Sequence, residues 1–304
     1  MRKSTVASAP RKPGSALTAW RLAIRPKTLP AAVAPILVGT AVAWREGGFH
    51  VVAALVALAV ALLLQIASNL ANDVLDFKKG ADTHARVGPT RVTQSGLIAP
   101  SRVVAATIVV LALATLAGLY LVWRGGWPML LLGALALISA VAYTGGPAPL
   151  GYLGLGEAFV FLFFGLVGVA GSAYVQTLTL TPLALWASLP IGCLVTNILV
   201  VNNLRDIATD RVAGKKTLAV RLGAAGARGE YLALLLAAYL TPLGLWFGAE
   251  IGRWWWLPWL TAPIAVGVAR GAWATEGRAL NPLLGATARL ALLFAIPFAG
   301  SIAW

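Results

Sequence analysis

Residues 51 to 82 read VVAALVALAVALLLQIASNLANDVLDFKKGAD, an apolar run that ends in amides, carboxylates and lysines. If this stretch is one helix, Asn69, Asn72, Asp73 and Asp76 lie three or four residues apart and share one face. Side chains on one face can converge on a single ligand. The stretch therefore predicts a membrane helix whose polar binding face lies where the helix leaves the lipid.

A second stretch of the same kind lies 130 positions further along the chain, where Asn202 corresponds to Asn72. Asp206 then corresponds to Asp76, and Asp210 follows one helical turn later. Basic residues come after each cluster: Lys78, Lys79, Arg86 and Arg91 after the first, and Lys215, Lys216 and Arg221 after the second. We interpret the two stretches as matching parts of two related halves of the chain.

The composition places the chain in a lipid bilayer. Of its 304 residues, 59% are hydrophobic and 11% are charged, which is too little polar surface for a soluble globule of this size. Nine apolar runs are each about long enough to cross the hydrocarbon: residues 28–44, 51–72, 103–123, 127–144, 153–175, 183–203, 229–247, 254–271 and 285–304. We therefore predict an all-α integral membrane bundle of nine transmembrane helices. It forms a single domain over residues 28–304, preceded by a basic cytoplasmic arm over residues 1–27.

The basic residues follow this topology. All but three of the 24 Lys and Arg residues fall on one side of the nine-span arrangement, the exceptions being Arg45, Arg124 and Arg253. Because cytoplasmic loops of membrane proteins carry the excess of Lys and Arg, we predict a cytoplasmic N-terminus, an external C-terminus and two cytoplasmic clusters. The net charge of +14 is thus explained by the membrane, and we expect no nucleic-acid partner.

The clusters contain only oxygen ligands, and their carboxylates would repel one another without a cation. Such ligands suit Mg²⁺, which commonly bridges protein carboxylates to substrate phosphates. The predicted metal ligands are Asp73, Asp76, Asp82, Asp206 and Asp210. The residues predicted to bind substrate are Asn72, Asn202, Glu157, Lys78, Lys79, Arg86, Arg91, Lys215 and Arg221. The basic residues among them would neutralise a diphosphate leaving group.

Glu157 is a candidate because it is an ionisable group in an otherwise apolar run. It could instead anchor the turn that precedes it. The acids of the two clusters likewise have a competing interpretation, in which they pair with adjacent Lys and Arg only to organise the loops. Two related clusters, each at the end of a run, favour a shared site, because repeated membrane halves usually place their site where the repeats meet.

Several motifs carry a resemblance to a known family. They are RPKTLP at 25–30, NLAND at 69–73, DFKKGAD at 76–82, YTGGP at 143–147, GYLGLGE at 151–157, NNLRD at 202–206 with Asp210, and GKKTL at 214–218. Over nearly its whole length the chain resembles the UbiA superfamily of membrane prenyltransferases, in particular members that act on 1,4-dihydroxy-2-naphthoate in menaquinone biosynthesis. Gly80 stands where the superfamily often has a third acid, and Asp82 follows two residues later.

The resemblance implies a reaction. A polyprenyl diphosphate would ionise against Mg²⁺, and the naphthoate ring carbon that bears the carboxylate would capture the allylic cation. Loss of carbon dioxide would then give demethylmenaquinone. Catalytic roles would fall to Asp76, Asp206 and Asp210, with Tyr143 facing the cation or orienting the acceptor. The expected location is a bacterial cytoplasmic (inner) membrane.

Two alternatives remain open. The first is a related prenyltransferase with another aromatic acceptor, such as 4-hydroxybenzoate or homogentisate. The second is a transporter in which the paired carboxylates bind a coupling cation. Broken helices in the middle of the membrane would favour transport, whereas both clusters are predicted at the cytoplasmic boundary.

Overall fold

The computed structural model describes residues 15–80, 87–146 and 149–304, and these residues form an all-helical structure without a strand. The helices of this described part are α1 (Ala16–Ile24), α2 (Pro30–Arg45), α3 (Val51–Lys78), α4 (Pro100–Gly125), α5 (Trp127–Ala142), α6 (Gly156–Thr177), α7 (Pro182–Val212), α8 (Leu218–Phe247), α9 (Ala262–Ala274) and α10 (Asn281–Ala303). The middle of α6, Phe161–Ala170, is a π-helix. The predicted all-α class is confirmed.

Among the described residues, fewer helices are long enough to cross a membrane than the nine predicted runs. Each of the nine predicted runs contains a helix, from α2 to α10. Within the described residues, however, six helices are long and apolar enough to cross a membrane, or seven if α1 and α2, bent by 46°, count as one span. Helices α5 and α9 have 16 and 13 residues, fewer than the roughly 20 that an upright span requires. Nine spans are therefore not confirmed.

Helices α3 and α7, which carry the two polar clusters, begin and end in a similar way. The His50 side chain accepts a hydrogen bond from the amide of Ala53 at the start of α3, and the Thr181 side chain caps α7 in the same manner. Two residues after each helix comes a glycine with a left-handed backbone, Gly80 with φ 67° and Gly214 with φ 71°. Glycine adopts this conformation without steric cost, so both helices stop just beyond their clusters.

Helix α7 lies at the centre of the bundle and packs against α2, α6, α8 and α10. In its most apolar stretch 72% of residues are buried, compared with 17% in α3. Its contact with α6 is close because two glycines face each other: a Cβ added to Gly165 would lie 2.9 Å from the Cα of Gly192. The second cluster thus extends from a helix that is fixed by its neighbours on most sides.

Arg45 and Arg124 are two of the three basic residues that fall on the side opposite to the other Lys and Arg residues. Both bind the ends of helices there. The Arg124 guanidinium donates hydrogen bonds to the carbonyls of Val175 (2.7 Å) and Gln176 (3.0 Å), at the end of α6. Arg45 donates to the carbonyl of Ile302, at the end of α10 (3.2 Å). The last carbonyls of a helix have no partner within the helix and carry the negative end of its dipole. These arginines therefore have structural partners at that end.

Candidate active site

A cavity of about 1550 Å³ brings the two clusters together. Its polar end is lined by Asn72 and Asp76 from α3 and by Asn202, Asp206 and Asp210 from α7. From there it runs along α3 as far as Ala57, roughly 28 Å away at 1.5 Å per residue. Its walls beyond the polar end are mostly apolar side chains of α2 to α7. The shape fits a ligand with a charged head and a long apolar tail.

Asp76 is 5% exposed and uses both carboxylate oxygens. Oδ2 accepts a hydrogen bond from the Arg91 guanidinium at 3.2 Å, and Oδ1 accepts one from the Tyr152 hydroxyl at 2.9 Å. The Tyr152 ring in turn lies beneath the Lys215 ammonium, 4.6 Å from Nζ to the ring centroid. Tyr152 therefore joins a residue of the first cluster to one that follows the second. Tyr152 was not predicted as a site residue, although it lies within the family motif GYLGLGE at 151–157.

Asp206 is held by the residue beside it. The Arg205 guanidinium donates from Nε to Asp206 Oδ1 at 2.8 Å and from a second nitrogen to Oδ2, a bidentate pair. The same buried guanidinium donates to Asn202 Oδ1 at 2.7 Å and to Asn281 Oδ1 at 3.1 Å. Sequence reasoning did not assign Arg205 a role, although it lies within the NNLRD motif.

Asp210 and Lys215 both line the cavity and form an ion pair, with 3.5 Å between Nζ and Oδ1. Lys215 reaches back because the chain turns at Gly214, directly after α7. Of the lysines predicted to bind substrate, it is the one that lies on the cavity wall in the described part of the chain.

Asp73 has a different environment from the other acids. It is 1% exposed, and its two oxygens accept hydrogen bonds from the backbone amides of Val92 (3.1 Å) and Thr93 (2.9 Å). It does not line the cavity. The structure therefore does not support the prediction that Asp73 binds the metal, because both oxygens already anchor the segment before α4.

The other basic residues also differ from the prediction. Lys79 Nζ donates to the carbonyls of Thr144 (2.7 Å) and Gly146 (3.2 Å), and the Arg221 guanidinium donates to those of Leu153 (2.8 Å) and Lys216 (3.1 Å). Neither lines the cavity. Lys79 and Arg221 therefore bind backbone carbonyls of turns and do not face the cavity.

Four further predicted residues complete the basic and acidic set. Lys78 is exposed at the end of α3, outside the cavity wall. Arg91 does line the cavity, beside Asp76. Asp82 and Arg86 lie outside the described residues.

Tyr143 follows the last residue of α5 and lines the cavity. A Cβ on Gly156 would lie 2.9 Å from its hydroxyl oxygen, so this approach depends on glycine at that position. The phenol of a tyrosine is uncharged at physiological pH. The phenol therefore stays neutral and presents an uncharged ring and hydroxyl to the cavity.

Glu157 lies behind the cavity wall instead of on it. It is 7% exposed, and its Oε1 accepts a hydrogen bond from Asn203 Nδ2 at 2.7 Å. Asn203 is the residue that lines the cavity here. The structure thus gives Glu157 no direct access to a ligand, contrary to the prediction that it binds substrate, because Asn203 stands between them.

Residues 25–28, which precede α2, also contribute to the site, although they were not predicted as site residues. Asn69 Nδ2 donates to the carbonyl of Ile24 (2.9 Å) and to the Thr28 hydroxyl (3.1 Å), which holds residues 25–28 against α3. Arg25 and Lys27 of this segment line the cavity. Both residues lie within the family motif RPKTLP at 25–30.

The residues present fit a magnesium ion that is shared with a diphosphate. Within residues 15–80, 87–146 and 149–304, no three His, Cys, Asp or Glu side chains lie close enough together to hold a metal by themselves. Asp76, Asp206 and Asp210 do line one cavity, each paired with a cation. Mg²⁺ usually keeps several waters and takes one or two carboxylates plus substrate phosphates. The donor set therefore suits an ion that arrives with its substrate.

Comparisons with known proteins show the family of the chain and agree with this fold. Residues 32–296 match the UbiA prenyltransferase family. The "1,4-dihydroxy-2-naphthoate octaprenyltransferase" of Escherichia coli (strain K12) is 44% identical over 283 residues, which cover 90% of this chain and 92% of that protein. The protein of the same name from Mycobacterium tuberculosis is 41% identical over 287 residues, covering 94% of this chain and 97% of that protein.

Two solved structures share the fold. The apo structure of a UbiA homolog from Aeropyrum pernix K1 has a TM-score of 0.69 at 18% identity and covers 88% of this chain and 96% of that one. A UbiA homolog from Archaeoglobus fulgidus, bound to DMAPP and Mg²⁺, has a TM-score of 0.62 at 15% identity and covers 93% of this chain and 99% of that one. By the family match, which spans most of the chain, and by the identity of its relatives, this protein belongs to the UbiA prenyltransferase family.

Proposed function

We propose that this protein transfers a polyprenyl group from polyprenyl diphosphate to 1,4-dihydroxy-2-naphthoate with loss of carbon dioxide. The product is demethylmenaquinol, the reduced form of demethylmenaquinone, which is an intermediate of menaquinone biosynthesis. Relatives named for the naphthoate reaction match nearly the whole chain. The observation that carries the proposal is the position of Asp76, Asp206 and Asp210 at the polar end of a long apolar cavity.

In this proposal the diphosphate lies among the three aspartates, where Mg²⁺ would offset the negative charge that develops on the leaving group. Asp76, Asp206 and Asp210 would hold the metal together with the diphosphate oxygens. Arg91 and Lys215, which line the same end of the cavity, stabilise the departing diphosphate. Fixed cations in a site shielded from water act more strongly than they would in bulk solvent. A UbiA homolog of similar fold bound to DMAPP and Mg²⁺ supports this arrangement.

The prenyl group is transferred next to the three aspartates. The carbon to oxygen bond of the prenyl diphosphate breaks, and its electron pair leaves with the diphosphate. The naphthoate carbon that bears the carboxylate then bonds to the allylic carbon, and the carboxylate leaves as carbon dioxide. Tyr143, neutral and on the cavity wall, faces the cation or orients the acceptor. The apolar walls hold the tail and keep water from the cation.

We further propose the topology that the charge distribution predicts. The shorter helices α5 and α9 complete nine crossings, residues 28–304 act as one membrane domain, and residues 1–27 form a cytoplasmic arm. Both clusters then face the cytoplasm, the C-terminus lies outside, and the membrane is the bacterial inner membrane. The Lys and Arg asymmetry supports this orientation, and two of its exceptions have helix-end partners.

The test of the proposed function is an acceptor competition with purified protein in nanodiscs. A mixture of 1,4-dihydroxy-2-naphthoate, 4-hydroxybenzoate and homogentisate is supplied with octaprenyl diphosphate and Mg²⁺, and the products are identified by mass spectrometry. We expect the decarboxylated naphthoate product to dominate. A dominant 4-hydroxybenzoate or homogentisate product would assign the protein to another branch of the family. Absence of any prenylated product would refute the enzyme assignment.

A further inference from the structure

Two adjacent asparagines on α7, Asn202 and Asn203, are held in opposite orientations. Asn202 uses its Oδ1 to accept from the Arg205 guanidinium at 2.7 Å. Asn203 uses its Nδ2 to donate to Glu157 Oε1 at 2.7 Å. Both asparagines line the cavity. Each amide therefore has one end engaged by a charged side chain behind the wall.

The two charged partners determine which end of each amide remains for a ligand. A guanidinium can only donate hydrogen bonds and an ionised carboxylate can only accept them, so neither amide can turn over without losing its bond. Asn202 therefore presents its NH₂ group, and Asn203 presents its Oδ1. Neither of these two groups has a hydrogen-bond partner among the residues that the structure describes. An NH₂ donor suits an anionic oxygen, whereas a lone carbonyl acceptor suits a hydroxyl group.

The contacts of Glu157 suit it to orient a neighbouring side chain and not to stabilise the fold. Glu157 is 7% exposed, and its second carboxylate oxygen, Oε2, is buried without a hydrogen-bond partner in the described part of the chain. A buried carboxylate oxygen without a hydrogen-bond partner costs desolvation free energy, so it does not stabilise the fold. The contact that its position does provide is the one that fixes the Asn203 amide.

We propose that Asn203 Oδ1 accepts a hydrogen bond from a ring hydroxyl of the aromatic acceptor, and that Glu157 is the positioning residue that keeps this oxygen turned toward the cavity. This inference rests on the proposed function, since it assigns the hydroxyl-binding part of the same site. The neutral hydroxyl of Tyr143 lies beside Gly156, next to Glu157, and borders the same part of the wall. Asn203 thus selects for hydroxylated rings, whereas the aspartates act on the diphosphate.

The test removes the acceptor's hydroxyls one at a time. The competitive inhibition constants of 1-hydroxy-2-naphthoate and 4-hydroxy-2-naphthoate are measured against 1,4-dihydroxy-2-naphthoate, for the wild type and for Asn203→Leu. In the wild type, loss of the hydroxyl that meets Asn203 should weaken binding about 10-fold. In Asn203→Leu that penalty should disappear for one of the two analogues, while the KM for octaprenyl diphosphate stays near the wild-type value.

Glu157→Gln tests the positioning role without a change at the cavity wall. The introduced amide can either accept from Asn203 Nδ2 or donate to Asn203 Oδ1, so it no longer fixes which end of the Asn203 amide faces the cavity, and the same hydroxyl dependence should weaken. Asn203→Asp alone places two carboxylates together and should lose activity toward the acceptor. The double variant Glu157→Gln with Asn203→Asp again pairs one donor with one acceptor and should recover much of that loss.

The matched control is Asn197→Leu. Asn197 is a fully buried asparagine on the same helix, donates to the Tyr231 carbonyl at 3.1 Å and does not line the cavity. This variant should lower thermal stability but retain the wild-type hydroxyl dependence. The inference is overturned if Asn203→Leu and Glu157→Gln keep that dependence in an active protein. The proposed function fails separately, if the wild type does not prenylate the naphthoate at all.

Discussion

Asp73 and Asp76 lie one helical turn apart on α3, yet Asp76 lines the cavity and Asp73 does not. Both oxygens of Asp73 accept hydrogen bonds from backbone amides of the segment before α4. The oxygens of Asp76 accept hydrogen bonds from a tyrosine hydroxyl and a guanidinium. Three residues correspond to about 300° of helical rotation, so the two side chains point about 60° apart. That angle is enough to place one carboxylate in the wall and the other behind it.

The two aspartates that match between the clusters should be needed for turnover. Asp76→Asn and Asp206→Asn each keep the shape of the side chain but remove the charge that holds the magnesium diphosphate. Loss of one such electrostatic contact typically lowers the rate about 100- to 1,000-fold. Turnover is measured across a magnesium titration, together with thermal stability in detergent. Wild-type turnover at ordinary magnesium in either variant would remove that residue from the diphosphate site.

Asp73→Asn should instead act on stability. The amide keeps one oxygen for the two backbone donors, so one buried hydrogen bond is lost and the free energy of unfolding falls by about 1–3 kcal/mol. Turnover per folded molecule should stay near the wild-type value, because Asp73 does not line the cavity. The measurement is activity normalised to folded protein from size-exclusion chromatography. A loss as large as that of Asp76→Asn, without a change in stability, would return Asp73 to the metal site.

Lys215 and Lys79 should differ although both were predicted to bind substrate. Lys215→Ala removes a cation from the cavity wall, so the KM for prenyl diphosphate should rise about 10-fold while the KM for the naphthoate changes little. Lys79→Ala removes two bonds to turn carbonyls and should mainly lower thermal stability. Lys78 is exposed at the end of α3, so Lys78→Ala is the control for loss of a surface charge near the site. An equal rise in the KM for prenyl diphosphate in all three variants would indicate that these lysines act through the overall surface charge and not through direct contact with the substrate.

Tyr152→Phe should separate the two roles of this ring. The variant loses the hydrogen bond to Asp76 but keeps the ring face that lies under Lys215. A hydrogen bond to a charged group contributes about 1.5–3 kcal/mol, so we expect kcat to fall about 10-fold or more. Tyr152→Leu, which also removes the ring face, should raise the KM for prenyl diphosphate as well. Unchanged kcat in Tyr152→Phe would show that the hydroxyl does not support Asp76.

The orientation in the membrane is tested by cysteine labelling. In a Cys193→Ala background, Val212→Cys at the exposed end of α7 should react with an impermeant maleimide only from the cytoplasmic side. Glu46→Cys, in the exposed turn after α2, should react only from outside. Labelling of the two positions from the same side, or from the reverse sides, would refute the proposed topology.

The sequence alone determined the helical class, the approximate positions of α2 to α10, the two clusters and the family, whereas α1 lies in the stretch predicted as an arm. These properties depend on local information: runs of apolar residues long enough to be helices, and a spacing of three or four that places Asn72 and Asp76, or Asn202 and Asp206, on one face. The motifs around them identified the family before any distance was known.

Only the tertiary structure decided which of these residues reach the cavity. The rotation of α3 against its neighbours separates Asp73 from Asp76, and contacts between distant segments assign Lys79 and Arg221 to turns. Arg205 and Tyr152 became site residues for the same reason, since their partners are set by packing and not by their own spacing. The orientations of Asn202 and Asn203 show this most directly, because an amide's two ends are similar in shape and differ only in the charged group that lies behind each one.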